Sequence, residues 1–330
     1  MGKDVVEKRL EEYDDVFVDI FNNLVLMGQQ VLKEKDLIPR SAMVYIRRPD
    51  GTLRGGMRDI WKENLSQGRF RLVCGIENQS DIDNTMPERV MGYEFADYET
   101  QIKKLMDDNK IAGRHAGARR IFKEQKLKPV ITCVLYYGKQ EWKQPKRLHE
   151  ILQFPEDLED ILKPYVADYP MNLIQVSRLT EEERRRLTSD FRIVAEYLAC
   201  RGDIKRWACF VDDTKEIRHV EELLDLLWEI SGDERFQILY EKVKKQEVGK
   251  EHWHMCEILD YVEGKGVKKG LRKGVRKGLR KGVKVGVKAM IKDNLEMGYE
   301  QEEIIEKVLR YFSVSKETAL GCYKQVVGEC

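Results

Sequence analysis

The sequence predicts an α/β fold, a mixed sheet flanked by helices, followed by a helical C-terminal region. Between residues 42 and 78, short runs rich in β-branched and aromatic residues alternate with Pro-Asp-Gly and Ser-Gln-Gly turn signals. The run PVITCVLYYG at 129–138 is apolar on both faces, as in a covered strand that a helical crossover reaches. From 178 to 262 the apolar residues recur at helical spacing.

The elements of the core are predicted in the order α-β-β-β-α-β. A helix is expected from about residue 5 to about residue 35, and Pro39 follows as the residue that prevents its continuation. Three antiparallel strands follow, at about 42–48, 55–62 and 69–78. A second helix then leads to the apolar strand. The predicted segments of the chain are the α/β domain at 1–165, a helical domain at 166–262, a basic Gly-x-x-x repeat at 263–290 and a short helical segment at 291–330.

Charge and composition narrow the class of protein. The 59 basic residues nearly balance the 58 acidic ones, but twelve Lys or Arg and no acid lie between Gly264 and Lys292. One strongly cationic segment therefore belongs to an otherwise acidic protein. The N-terminal stretch has no apolar region typical of a secretory signal, and no run is long enough for a membrane helix. Seven cysteines without a C-x-x-C pair favour free thiols in a cytoplasmic protein.

Two acidic residues are predicted to meet across the second hairpin. If Gly68 marks its middle, Asp59 and Glu77 each lie nine residues away and fall opposite one another. Strand alternation places Gln79 on the face of Glu77, together with Gly75, which would leave room for a substrate backbone. Two carboxylates and an amide are the oxygen ligands that Mg²⁺ prefers. The alternative, ordinary solvent-facing acids on an edge strand, stays open on spacing alone.

Several stretches of the sequence resemble a known family. They are Arg58-Asp59-Ile60, GIENQSDID at 75–83, MPERVM at 86–91 and the strand from PVIT at 129–132 to YYG at 136–138. Over residues 10 to 155 they are similar to the Rpn-type recombination-promoting nuclease and putative transposase family of the PD-(D/E)XK nuclease superfamily. The resemblance implies a PD-(D/E)XK nuclease-like core. It also implies an endonuclease that uses Mg²⁺ or Mn²⁺ to hydrolyse DNA phosphodiester bonds in recombination or the movement of mobile elements.

The resemblance also implies roles for single residues. Asp59 and Glu77 would hold the metal, with the backbone carbonyl of Asn78 as a further ligand. Gln79 is the third catalytic residue and stands where the superfamily usually has Lys. An amide can orient water only by hydrogen bonds, so the general base stays unassigned. Arg58 replaces the Pro of the nominal motif.

The first helix offers two further catalytic candidates. Asp19 and Asn22 are three residues apart and so share a helix face. They resemble the family's helical D-x-x-N element, which would complete the site. A polar edge beside the apolar stripe of the helix is the alternative.

Other candidates have weaker signals. Arg89 and Gln101 on the crossover helix would reach phosphate or the metal, or else make structural hydrogen bonds. His252, His254 and Cys256 would align as zinc ligands only on a strand, whereas their surroundings are predicted to be helical.

The basic repeat has Gly at every fourth position from Gly266 to Gly286. Each Gly costs about 1 kcal/mol relative to Ala in a helix, so a partner must supply the order of this segment. Three interpretations stay open: contact with DNA phosphates, close helix packing that supports a homo-oligomer, and a flexible charged linker. The main functional hypothesis is a metal-dependent DNA endonuclease. A catalytically inactive DNA-binding protein and a helical interaction module are the alternatives.

Overall fold

The computed structural model describes residues 10–40, 43–47, 53–57, 59–65, 71–212, 214–245, 252–262 and 268–328. The chain divides into two compact units, Met1–Ile258 and Leu259–Cys330. The first unit contains the sheet, and the second is helical wherever it is described in regular structure. Within the described ranges, no helix has the length and apolar character needed to cross a membrane.

The first helix is shorter than predicted. Helix α1 spans Asp14–Ile20 and continues as a π-helical turn, Phe21–Val25. Its apolar stripe is fully buried, and the rings of Phe17 and Phe21 stack with centroids 4.8 Å apart. The prediction that the helix reaches residue 35 is wrong, because Met27 and Gly28 adopt positive φ angles of 54° and 88° and turn the chain out of the helix.

A five-stranded mixed sheet forms the centre of the first unit. Its strands and those of a separate hairpin are β1 Leu37–Pro39, β2 Met43–Arg47, β3 Leu53–Met57, β4 Ile60–Asn64, β5 Leu72–Gln79, β6 Val130–Tyr136 and β7 Asn172–Gln175. The sheet order is β1-β4-β5-β6-β7. The pairs β1–β4 and β4–β5 are antiparallel, and the pairs β5–β6 and β6–β7 are parallel. Helices flank this sheet, as predicted.

The single strand predicted at 55–62 is wrong. Two strands occupy this stretch: β3 pairs with β2 in the separate hairpin, and β4 joins the main sheet. Asp59 belongs to neither strand, since the chain passes from one sheet to the other there. The sequence did not predict β1 and β7, which have three and four residues and are too short to show a clear alternation.

The register of the second hairpin is confirmed. Ile60 pairs with Ile76 and Trp61 with Gly75, the pairing expected for a hairpin centred on residue 68, which itself lies outside the described residues. The indole of Trp61 covers Gly75 so closely that a Cβ there would lie 1.7 Å from a ring carbon. The prediction that Gly75 leaves room for a substrate is therefore wrong, because the indole already fills that space.

The predicted helical crossover is confirmed. Helix α2, Met86–Ile111, has Pro87 in its first turn, where the missing N–H costs nothing, and connects the parallel strands β5 and β6. Met86 and Val90 pack on Val134 and Tyr136 of β6, with Trp142 and Met171 completing this core cluster. One face of the sheet is thereby covered by α2.

From about residue 178 the first unit is mainly helical, as predicted. The helices are α3 Glu159–Leu162, α4 Glu181–Arg186, α5 Phe191–Ala199, α6 Ile204–Phe210, α7 Val220–Ser231 and α8 Glu234–Lys244. Short 3₁₀ turns lie at Glu34–Asp36, Gly117–Arg119, Leu148–Ile151, Lys163–Tyr165 and Val176–Arg178. Two-residue strands, β8 Glu216–Ile217 and β9 Trp253–His254, pair with one another. Helix α9, Met255–Val262, runs across the boundary between the units.

In the second unit the basic repeat is helical from residue 268, and its residues 263–267 lie outside the described residues. Helix α10, Lys268–Glu296, is followed by α11 Gln301–Tyr311 and α12 Lys316–Gly328, which confirm the two predicted closing helices. Val287 and Ile291 of α10 are fully buried in one cluster with Ile304 and Val308 of α11. The partner that the glycine-rich sequence requires is thus supplied, over the C-terminal half of α10, by the helices that follow it.

The six described cysteines are free thiols, as predicted. Cys74 and Cys133 are buried on neighbouring strands, and burial raises the pKa of both thiols. Both side chains therefore behave as small apolar groups.

The contact between Trp61 and Gly75 is testable by substitution. Gly75→Ala should destabilise the protein by about 3 kcal/mol, because the indole is held by a hydrogen bond to Asp97 and cannot move away freely. Denaturant unfolding gives the free energy. In a Trp61→Ala background the same substitution should cost much less, and an equal cost in both backgrounds would contradict this account.

Candidate functional site

Asp59 lies just before the start of β4, and Glu77 lies near the end of β5. The pairing of β4 with β5 ends at Ile60 and Ile76, so Asp59 and Glu77 are the residues directly beyond its last pair. The Oδ2 atom of Asp59 accepts a hydrogen bond of 2.7 Å from the backbone N–H of Asn78. Burial raises the pKa of Tyr93, and the negative charges of Glu77 and Asp59 raise it further. The phenol of Tyr93 therefore lies within electrostatic range of both carboxylates.

Glu77 is a buried carboxylate with a cation beside it. The residue as a whole is 2% exposed, and Arg89 Nη2 donates to Glu77 Oε1 at 2.5 Å. The hydroxyl of Tyr93 lies 3.5 Å from the same oxygen. A buried charge is stable only when it is paired, and Arg89 is the cation that pairs with Glu77.

Arg89 is held at its other end by Asp83. Arg89 Nη1 donates to Asp83 Oδ2 at 2.7 Å, and Asp83 also accepts from the backbone and hydroxyl of Thr85. Burial opposes ionisation of Asp83, but the hydrogen bonds from Thr85 and Arg89 outweigh it and lower its pKa. Burial likewise opposes the charge of Arg89, yet Asp83, Tyr93 and Glu77 keep its pKa above its ordinary value. Both members of this pair are charged at neutral pH.

Strand alternation places the backbone carbonyl of Asn78 on the β4 side of β5. The carbonyl of Gln79 accepts from the N–H of Tyr137 on the β6 side, and successive carbonyls of a strand alternate in direction. The carbonyl of Asn78 therefore faces the β4 side, as does its N–H, which bonds Asp59. Gln79 is half-buried and, by the same alternation, shares the face of Glu77.

The lysine on the neighbouring strand does not replace the one missing at Gln79. Lys62 pairs with Cys74, which places it on the opposite face of the sheet from Glu77. There its Nζ donates to Asp14 Oδ1 and to the carbonyl of Glu12, both at 2.5 Å. The cation that reaches Glu77 is a guanidinium from α2.

Helix α2 presents a row of polar side chains to the sheet at four-residue spacing. We call this row, Arg89, Tyr93, Asp97 and Gln101, the polar stripe. Asp97 accepts from the indole of Trp61 at 3.2 Å, and Gln101 accepts from the N–H of Lys128 at 2.7 Å just before β6. Of the two candidates predicted on this helix, Arg89 reaches the carboxylate pair and Gln101 makes structural hydrogen bonds. Sequence reasoning missed Tyr93 and Asp97, although their regular spacing was a visible signal.

One family model matches the chain, over residues 45–227, and its description is "Putative transposase, YhgA-like". The matched stretch is more than half of the chain. The protein belongs to the YhgA-like putative transposase family. No curated protein and no solved structure matches the chain. The family match contains Asp59, Glu77, Gln79 and Arg89, whereas Asp19, Asn22 and the basic helix α10 lie outside it.

Asp19 of this YhgA-like protein is surrounded by donors from a distant part of the chain. Its carboxylate accepts from the backbone N–H groups and the hydroxyls of Thr188 and Ser189, at 2.7 to 3.0 Å, and from Asn23 Nδ2 at 2.8 Å. Asn22 bonds the backbone of Val31 and Leu32 in the loop after the π-helical turn. Asp19 thereby connects α1 to the segment at 188–189, and Asn22 connects the π-helical turn to the loop that follows it. Their catalytic role stays a prediction.

Glu11 is an acid that the sequence did not single out. It is fully buried, Asn78 Nδ2 donates to its Oε2 at 2.5 Å, and Tyr137 donates to its other oxygen. It lies on the face of the sheet opposite to Glu77, where it fixes the end of β5. The sequence pattern of the first helix gave no sign of this residue, because its burial depends on contacts with Asn78 of β5 and with Tyr137 directly after β6.

The histidine-rich stretch does not form a metal cluster in the structure. His252 Nδ1 contacts Glu216 Oε1 at 2.5 Å, and His254 lies on β9. Across the described ranges, no group of three or more His, Cys, Asp or Glu side chains is arranged to hold a metal. Any metal at the Asp59–Glu77 site therefore depends on two carboxylates completed by a backbone carbonyl and water.

Asp19 can be tested as a structural residue of this family member. Asp19→Ala should destabilise the protein by about 3 kcal/mol, since it leaves the buried donors of Ser189, and those of the neighbouring Thr188, without this acceptor. Chemical denaturation measures the loss, with the exposed Asp107→Ala as a control that should change stability by less than about 0.5 kcal/mol. Unchanged stability of Asp19→Ala would contradict the structural role.

Proposed function

We propose that the protein is a Mg²⁺-dependent DNA endonuclease with a PD-(D/E)XK-type core. The observation that carries this proposal is the register of β4 and β5, which sets Asp59 and Glu77 directly beyond the last pair, together with the hydrogen bond from the N–H of Asn78 to Asp59. Membership of a transposase family supports a role in cutting DNA during recombination or the movement of a mobile element. The mixed sheet, with the crossover helix α2 between β5 and β6, agrees with such a core.

The donor atoms suit a hard divalent cation. All three candidates are oxygens, which Mg²⁺ binds at about 2.0 to 2.1 Å while it keeps several of its waters. Two carboxylates and a carbonyl are therefore sufficient, and Mn²⁺ suits the same set of ligands. Glu77 is nearly inaccessible and already pairs with a cation, so its surroundings favour positive charge.

Each residue has a defined task in the proposed reaction. A bound divalent ion would polarise the scissile phosphate and activate a water. Asp59 and Glu77 hold the ion, and the N–H of Asn78 fixes the carboxylate of Asp59. Gln79 orients water through its amide and takes no proton at neutral pH. The Trp61 indole over Gly75 closes the sheet below Glu77, which confines the substrate to the end of the strands.

DNA is the proposed partner of helix α10 as well. Between Lys268 and Lys292 this helix carries eleven Lys or Arg and no acid. Lys281, Lys284 and Lys292 are exposed, and such a helix binds phosphates through charge without reading sequence. Glycine-mediated self-association has less support at Gly286, because a Cβ there would lie 3.1 Å from Phe312 of the same unit.

Loss of cleavage in a Glu77 variant is the direct test of the enzyme. Glu77→Gln should lower the rate of Mg²⁺-dependent plasmid cleavage by at least about a hundredfold, because a metal ligand and its charge are removed. EDTA should abolish cleavage by the wild type, and Mn²⁺ should restore it. The control Glu88→Gln changes an exposed acid on the first turn of α2 and should keep the wild-type rate.

Equal cleavage by the wild type, by Glu77→Gln and in EDTA would overturn the proposal. DNA binding without cleavage in Mg²⁺ or Mn²⁺ would identify a catalytically inactive DNA-binding protein instead. A wild type that neither binds nor cleaves DNA would favour a helical interaction module, whose self-association native mass spectrometry would detect.

The contribution of α10 to DNA binding should depend on salt. In the double variant Lys281→Gln, Lys284→Gln, the slope of log affinity against log salt concentration should fall by about 0.9 for each phosphate that the helix no longer neutralises. Fluorescence anisotropy with a labelled duplex measures the slope. The control pair Lys316→Gln, Lys324→Gln removes the same charge from exposed positions on α12. Equal slopes for the two double variants would show that the positions on α10 have no special role.

A further inference from the structure

We propose that Arg89 is a phosphate-binding catalytic residue which Glu77 holds in place until the metal ion arrives. This inference rests on the proposed nuclease function and assigns to Arg89 the positive charge that the site lacks at Gln79. Arg89 exchanges its partner: it is paired with Glu77 in the metal-free protein and with the DNA phosphate in the loaded one.

The geometry gives Arg89 two separate attachments. Nη2 donates to Glu77 Oε1 at 2.5 Å and to the hydroxyl of Tyr93 at 3.1 Å, whereas Nη1 donates to Asp83 Oδ2 at 2.7 Å. Asp83 lies in the turn before α2 and is anchored by Thr85. When Nη2 moves away from Glu77, the guanidinium therefore stays tethered beside the site through Asp83.

A divalent ion and Arg89 compete for the same carboxylate. Both would neutralise Glu77, and two cations within a few ångströms of each other repel strongly in a partly buried site. A metal bound by Glu77 and Asp59 consequently weakens the hydrogen bond between Glu77 and Nη2. The phosphate to be cleaved is then the anion that replaces Glu77 as the partner of Nη2, because the fork of a guanidinium matches phosphate oxygens.

A purely structural ion pair would be placed differently. Arg184 and Glu196, 2.8 Å apart, are such a pair, with side chains only 12% and 3% exposed. In the pair of Arg89 and Glu77 the carboxylate is 3% exposed, but the arginine side chain is 29% exposed. Arg89 thus joins a buried acid to the solvent side of the site, where a DNA backbone would approach.

Metal affinity and cleavage should change in opposite directions in an Arg89 variant. Arg89→Gln should bind Mn²⁺ at least about tenfold more tightly than the wild type, because a competing cation is removed, and should cleave DNA about a hundredfold more slowly. Arg89→Lys keeps the charge but loses the fork, so its Mn²⁺ affinity should stay near that of the wild type while cleavage falls. Calorimetry or electron paramagnetic resonance on the full chain without DNA measures the affinity.

Two controls separate this inference from its alternatives. Arg120→Gln removes the exposed pair of Arg120 with Glu99 of α2 and should alter neither quantity. Thermal unfolding of each variant verifies that it is folded, and Arg89→Lys serves if Arg89→Gln is not. Weaker or unchanged Mn²⁺ binding by Arg89→Gln, or cleavage at the wild-type rate, would overturn the role of Arg89 alone, provided that Glu77→Gln abolishes Mn²⁺ binding. A wild type that binds no Mn²⁺ would overturn the nuclease proposal and this inference together.

Discussion

The antiparallel pairing of β4 with β5 determines which groups of the site can meet. Its register sets Trp61 opposite Gly75 and leaves Asp59 and Glu77 directly beyond the last pair, Ile60 with Ile76. A slip by one residue would turn every side chain of β5 to the other face and would bring Asn78 where Glu77 now lies. Because Gly75 has no side chain, the indole of Trp61 fits only in the native register. The pairing is therefore specified by shape as well as by hydrogen bonds.

Strand β5 carries buried polar groups on both faces, and different partners satisfy their hydrogen bonds on each face. On one face the polar stripe of α2 supplies Arg89 and Tyr93 to Glu77. On the other face Asn78 and Tyr137 supply hydrogen bonds to Glu11. Buried charges are expensive unless they are paired, so these contacts fix the direction in which the end of β5 points. The candidate site lies at the C-terminal end of β5, where the hydrogen bonds of Glu77 and those of Glu11 are both found.

Short-range patterns predicted much of the fold and the centre of the site. The register of β4 with β5 follows from a hairpin whose middle is visible in the sequence. The crossover helix follows from an apolar strand that is buried on both faces. The cationic repeat also showed where a basic helix would be. These features depend on spacing within a few tens of residues, which a single sequence displays.

Contacts between remote residues explain what was not predicted. The donors to Asp19 come from Thr188 and Ser189, about 170 positions along the chain, and no local pattern announces such a match. The passage of the chain from β3 to β4 divides one apparent strand between two sheets, and the indole of Trp61 occupies the space that Gly75 seemed to leave open. The pairing of Glu77 with Arg89 was not predicted either, because it depends on how α2 lies across the sheet.

The position of β7 bears on how the α/β layer acquires its stability. A chain that stopped at residue 165 would lack β7 and leave β6 as a bare sheet edge, a surface prone to aggregation. It would also lack Thr188 and Ser189, so the carboxylate of Asp19 would be deprived of most of its donors. The first 165 residues are therefore not expected to fold autonomously. During synthesis, the layer can be completed only after the segment that reaches Ser189 has left the ribosome.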